Sequence, residues 1–118
     1  MTKILFVDDD SDLLGINVFM LRDLDYDVVS ATNGEEAVSK FKENLPDLTI
    51  MDIKMPKMDG FDAFFRIKKV NPDAKIILIS AFGVDEKKLL KAKSIGLLGM
   101  IKKPYEFETM EELIKKNL

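Results

Sequence analysis

Two kinds of apolar pattern alternate along this 118-residue chain. Short runs rich in apolar and β-branched residues occur at 3–7 (KILFV), 27–31 (DVVSA), 47–52 (DLTIMD), 74–80 (AKIILIS) and 99–103 (GMIKK). Their length and composition predict strands. Between them apolar side chains recur at the spacing of one helix face. That spacing predicts helices over 11–25 (Leu13, Leu14, Val18, Leu21, Leu24), 34–44 (Ala37, Val38, Phe41) and 60–70 (Phe61, Phe64, Ile67, Val70). Two more follow over 84–95 (Leu89, Ala92, Ile95) and 107–117 (Phe107, Met110, Leu113, Ile114).

The polar residues at the breaks agree. Asp10 or Ser11 can cap the first helix, Asn33 the second and Asp59 the third, with Glu35 and Glu36 well placed in a first turn. ENLPD and VNPD stop helices before the next strand, and Gly96 suits the end of the fourth. Strict alternation of five strands with five helices implies a parallel sheet covered on both faces. At this length the expectation is a single domain over residues 1–118. Its fold class is α/β: a flavodoxin-like (βα)5 arrangement, doubly wound, with a parallel five-stranded sheet of strand order 2-1-3-4-5. Such sheets bind ligands at the carboxyl ends of the strands, where the order reverses between the first and third.

Composition narrows the chemistry. Hydrophobic residues make up 47% and charged residues 33%, a globular rather than disordered balance. The net charge of −3 is spread along the chain, with no block of one sign. Neither direct nucleic-acid contact nor a membrane-binding patch is expected. No apolar run reaches membrane-spanning length and MTKILF is no signal peptide, so the expected location is cytoplasmic. The chain has no cysteine and no histidine. Thiol chemistry, the usual neutral-pH proton shuttle and the commonest transition-metal ligand are all excluded.

What remains is carboxylate, hydroxyl and lysine, and the pattern gathers them. Asp8 and Asp9 end the first strand, Asp52 the third, Ser80 the fourth, and Lys102 and Lys103 the fifth. In the expected topology all reach one sheet edge. Two carboxylates about 4 Å apart repel by roughly 4 kcal/mol at an effective dielectric of about 20. A hard cation relieves this, and all-oxygen ligands select Mg²⁺, with Mn²⁺ as the alternative. A hard cation, a lysine and a hydroxyl together suit phosphoryl transfer. Asp52, alone on its strand, is the candidate nucleophile, forming an acyl phosphate. A nucleotide-cofactor site would need a Gly- or Thr-rich first loop, and Asp8, Asp9 and Asp10 would repel phosphate there.

VDDD after the first strand, MDIKMPKMDG after the third, ISA at the fourth and KKP at the fifth resemble, in order, the receiver domain of two-component response regulators. The resemblance covers essentially the whole chain. It implies that Asp52 is the phosphoacceptor and Asp9 a metal ligand, with Asp8 completing the acidic pair. It implies that Lys54 supplies a backbone carbonyl to the metal, its side chain standing where attacking water would pass. Ser80 matches the hydroxyl that reorients toward the phosphoryl group. Lys103, before Pro104, matches the lysine that pairs with it, a choice between Lys102 and Lys103 that pattern alone leaves open. A cis Lys103–Pro104 bond is also implied. The family often carries an aromatic switch residue where this chain has Met100.

The function so implied is a Mg²⁺-dependent phosphoacceptor switch in a two-component phosphorelay, catalysing its own phosphorylation without being a conventional enzyme. A histidine kinase or histidine phosphotransfer protein would donate. A downstream protein target, or an effector domain not in this chain, would read the output, since the sequence stops soon after the fifth helix. A phosphorylation-independent interaction module is the alternative. A metal-dependent phosphatase would want a second acid where Lys54 stands. Lys87, Lys88, Lys91 and Lys93 are expected to form a solvated helix face, and Lys102 to face water. Phe65, beside Arg66, Lys68 and Lys69 that favour water, is expected to stay partly exposed on a partner or homodimer surface.

Overall fold

The computed structural model describes residues 1–81 and 83–118. Strands and helices alternate as β1 Lys3–Val7, α1 Ser11–Asp23, β2 Asp27–Ala31, α2 Gly34–Asn44, β3 Leu48–Asp52 and α3 Gly60–Val70. The chain continues through β4 Ile76–Ser80, α4 Glu86–Ser94, β5 Gly99–Lys102 and α5 Phe107–Lys116. The five strands form one parallel sheet in the order β2-β1-β3-β4-β5, as the sequence pattern predicts.

Alternating side chains of each strand serve opposite faces. Leu5, Met51 and Leu78 meet Phe41, Phe61 and Phe64 under α2 and α3. Phe6, Ile50 and Ile77 meet Leu21, Met110 and Ile114 under α1 and α5. β3 and β4 are buried along their whole length, so both are mostly apolar up to the polar residue, Asp52 or Ser80, that ends each. Thr49 interrupts β3 before its end: fully buried, its hydroxyl has no hydrogen-bond partner. An orphaned buried hydroxyl costs on the order of 1–3 kcal/mol. Thr49→Val keeps the shape and removes the cost, so it is expected to stabilise the fold by about 1 kcal/mol. A higher urea midpoint with unchanged slope is the reading that checks this.

Asp10, not Ser11, caps α1, accepting from the Asp12 and Leu13 amides. Asn33, Asp59 and Asp85 cap α2, α3 and α4 in the same way. Gly96 follows α4 at φ +100°, a left-handed conformation that glycine adopts without strain. Among the described residues no helix is long and apolar enough to cross a membrane.

Several surface expectations are corrected. Leu13 and Leu24 are exposed rather than inward; α1 buries only Leu14, Asn17, Val18 and Leu21. One residue is about 100° of helix rotation, enough to turn Leu13 off that stripe, while Leu24 lies past the last turn. α4 buries only Ala92, and Ile95, its capping residue, faces outward. Nor are the α4 lysines a uniformly solvated face. Lys88 Nζ lies 3.2 Å from Asp59 Oδ2 and 3.4 Å from Asp62 Oδ1. Lys91 Nζ stands 4.8 Å from the centre of the half-buried Phe65 ring. The cause is that α4 lies beside α3, whose first turns carry those groups. Lys68 is buried, not in water; its ammonium donates to the Pro72 carbonyl at 3.1 Å, and burial lowers its pKa.

Candidate functional site

The register brings the chemistry together. β1 and β3 pair from Ile4–Leu48 to Val7–Met51, so Asp8 and Asp52 leave neighbouring strand ends side by side. Ligand atoms of Asp8, Asp9 and Asp52 all lie within 4.8 Å of one another. Asp8 and Asp52 are buried while Asp9 faces solvent. Ser80 closes β4 next to them. The Lys103 amide donates to the Ser80 carbonyl at 2.8 Å and continues the ladder one residue past β5. Strand alternation then separates the two lysines: Lys102 is exposed, and Lys103 reaches Asp52 Oδ2 with Nζ at 2.6 Å. The Lys103–Pro104 bond is cis.

Asp52 is held at both oxygens. Oδ2 takes the lysine, and Oδ1 accepts the Lys54 backbone N–H at 3.2 Å. The Lys54 side chain is exposed at the rim. Behind Asp52, α3 begins almost in contact with the strand. The Gly60 amide donates to the Ile53 carbonyl at 2.7 Å, and a Cβ at Gly60 would stand 2.4 Å from the Asp52 carbonyl oxygen.

Two residues at these strand ends carry orphaned polar atoms. Asp8 Oδ1 accepts the Asp10 amide at 2.9 Å, but Oδ2 is buried without a partner. Ser80 Oγ is likewise buried and unpartnered. Unsatisfied buried oxygens beside converging carboxylates fit a hard divalent cation, which takes oxygen ligands only. The donor set therefore suits Mg²⁺.

Charge states follow from the same geometry. Burial raises the Asp8 pKa; the Asp10 amide works against this and the Asp52 charge adds to it. Burial depresses Lys103, but the hydrogen bond and charge of Asp52, with Asp8, outweigh it, and the ammonium ends up raised. A carboxyl raised in the fold binds more protons folded than unfolded. Asp8 therefore favours the fold at low pH, and that benefit is lost as pH rises from the ordinary 3.8 through its raised value. Asp8→Asn keeps the acceptor for the Asp10 amide and removes the titration. It is expected to stabilise the protein at pH ~7, with the advantage shrinking toward pH ~4. Denaturant midpoints of both proteins at the two pH values check this.

One polar residue near the site escaped the sequence reading. Asn17 is buried on α1 and donates from Nδ2 to the Tyr105 hydroxyl at 3.1 Å. The available signal was an asparagine set among Leu14, Val18 and Leu21 on an apolar helix face. Met100, at the position where an aromatic residue is common, is half-buried on β5 against the core.

Comparison with known proteins adds to this geometry. The family model for the response regulator receiver domain matches residues 4–115. Chemotaxis protein CheY of Thermotoga maritima is 38% identical over 115 residues, covering 97% of this chain and 95% of the relative. A response regulator receiver domain protein from Clostridium thermocellum superimposes with a TM-score of 0.91 at 30% identity, over 99% of this chain and 94% of the other. Response regulator TrrA of Thermotoga maritima, solved with Mg²⁺ and BeF, gives 0.86 at 32% identity over the full length of both.

Proposed function

Because this chain belongs to the response regulator receiver domain family of two-component systems, we propose that Asp52 is its phosphoryl acceptor and that residues 1–118 act as one cytoplasmic signalling switch. The observation that carries this reading is the environment of Asp52: a buried carboxylate on Lys103 at 2.6 Å, between the orphaned oxygens of Asp8 and Ser80. Asp8, Asp9 and Asp52, with the Lys54 backbone carbonyl, would hold Mg²⁺. When bound, the ion supplies positive charge to the phosphoryl oxygens.

The chain's own groups do the rest. An Asp52 oxygen attacks the phosphorus of a phosphohistidine; the oxygen–phosphorus bond forms as the nitrogen–phosphorus bond breaks, and the imidazole leaves with the electron pair. The Lys103 ammonium moves from the carboxylate to the new phosphoryl oxygens. The Lys54 amide fixes the carboxylate plane. Ser80, whose hydroxyl spends nothing in the resting site, is free to donate to a phosphoryl oxygen and be drawn inward. The exposed Lys54 side chain meters the water that later hydrolyses the acyl phosphate.

The donor is a histidine kinase or a histidine phosphotransfer protein, and a downstream protein or effector domain reads the change. Ile16 on α1, 56% exposed, lines the groove that Lys103 also lines, and with Phe19, 73% exposed one turn further along α1, it offers an apolar surface that suits the donor. Incubation with acetyl phosphate and Mg²⁺ is expected to add one alkali-labile phosphoryl group, and chelation to stop it. A chain that takes no label from acetyl phosphate or from a phosphohistidine protein is an interaction module on this fold instead.

A further inference from the structure

One buried polar contact lies outside the acid pocket yet joins its two sides. Asn17 sits in mid-α1 and is 5% exposed. Its Nδ2 donates within its own helix to the Leu13 carbonyl at 3.0 Å and across the fold to the Tyr105 hydroxyl at 3.1 Å. Both amide hydrogens are thereby used, and the partners Asn17 and Tyr105 are 88 residues apart. Each belongs to one half of the site. α1 starts directly after Asp8 and Asp9, through its cap Asp10. Tyr105 follows Pro104 and so stands two residues beyond Lys103.

Lys103 needs such support. Its backbone is fixed by the amide bond to Ser80, but four rotatable bonds separate that anchor from Nζ. The stem runs along a groove of about 490 Å³ whose walls include Ala81, Pro104, Tyr105 and Asn17. The phenol stands close enough to feel the Asp8, Lys103 and Asp52 charges, while its oxygen is tied to α1. A ring anchored at its far end is a fixed wall; one free to turn is not.

We propose that Asn17 and Tyr105 are positioning residues for phosphoryl transfer: their hydrogen bond holds the Tyr105 ring beside the Lys103 stem and thereby keeps Nζ on Asp52. The inference rests on Asp52 being the phosphoryl acceptor. A phenylalanine at 105 fills the same space but leaves a buried Asn17 N–H unpaired and the ring unanchored. The lysine then samples positions off the carboxylate, and misplacement on the ångström scale costs rate steeply.

The test compares wild type, Tyr105→Phe, Asn17→Leu and the double variant Asn17→Leu/Tyr105→Phe, each labelled with acetyl phosphate over a series of Mg²⁺ concentrations. Each single variant is expected to lower the maximum labelling rate by about tenfold or more while half-saturating Mg²⁺ stays within about twofold. The double variant has no orphaned amide. It is expected to regain the wild-type melting temperature and stay slow, which separates positioning from plain stability. Recovery of rate together with stability overturns the proposal, and so does a variant that changes Mg²⁺ affinity alone. Tyr105→Phe decides by itself should the double variant fail to fold. Wild type taking no label would mean the phosphoacceptor reading itself has failed; labelled wild type with unchanged single variants removes only the positioning role.

Discussion

Asp52→Asn is expected to reduce phosphoryl labelling to background while the fold survives. The amide cannot be a nucleophile of this kind, because its oxygen carries no charge and an acyl phosphate cannot form through it. The backbone side of the site tolerates it, whereas the amide NH2 that replaces Oδ2 can no longer accept the Lys103 ammonium now 2.6 Å from that oxygen. An asparagine oxygen can still accept the Lys54 amide that Asp52 Oδ1 accepts at 3.2 Å. Removing one of three converging acids also eases the repulsion on Asp8, whose pKa that charge helps to raise. Far-UV circular dichroism should therefore stay at wild type, and the melting temperature close to it, because the lost lysine pair and the eased repulsion on Asp8 act in opposite directions. Intact-mass measurement after acetyl phosphate treatment checks both halves. Residual stoichiometric label would move the acceptor to Asp8 or Asp9 and sink the assignment.

Gly60→Ala is expected to damage both stability and chemistry. The added methyl would lie 2.4 Å from the Asp52 carbonyl oxygen and 2.7 Å from the Ile53 Cα, both backbone atoms that no rotamer change can remove. The start of α3 must back away from β3, breaking the 2.7 Å bond from the Gly60 amide to the Ile53 carbonyl. Overpacking of this kind costs about 2–3 kcal/mol. For a domain of this size that lowers the melting temperature by roughly 8–12 °C. The displaced residues carry Asp52 and the Lys54 amide, so labelling should slow as well. A melting temperature within a few degrees of wild type would show that the β3–α3 turn is softer than its contacts imply.

The sheet order and the acid cluster were legible because each rests on signals local in sequence. A strand announces itself in five or six residues, and a carboxylate at its end needs only the topology to find its neighbours. Asn33, Asp59 and Gly96 were legible for the same reason: a cap acts on its own helix. The choice between Lys102 and Lys103 was not legible from pattern, because it depends on how far the strand pleat continues beyond β5. Lys88 was misread because its acids lie 26 and 29 residues upstream, on a helix whose orientation no local pattern records. Asn17 and its bond to Tyr105 were missed for a like reason. Leu13, Leu24 and Ile95 show the opposite error, in which apolar spacing overstates how much of a helix the sheet can cover.

The attachment of α4 has a consequence for how the molecule meets its surroundings. Of its nine residues only Ala92 is buried, and its contacts with α3 include a lysine on two carboxylates and a lysine over an aromatic ring. Such contacts weaken as dissolved ions screen them over distances of about 8 Å at physiological strength. The hydrophobic interior does not share that sensitivity. Added salt is thus expected to loosen this one helix before it disturbs the sheet and the layers packed on it.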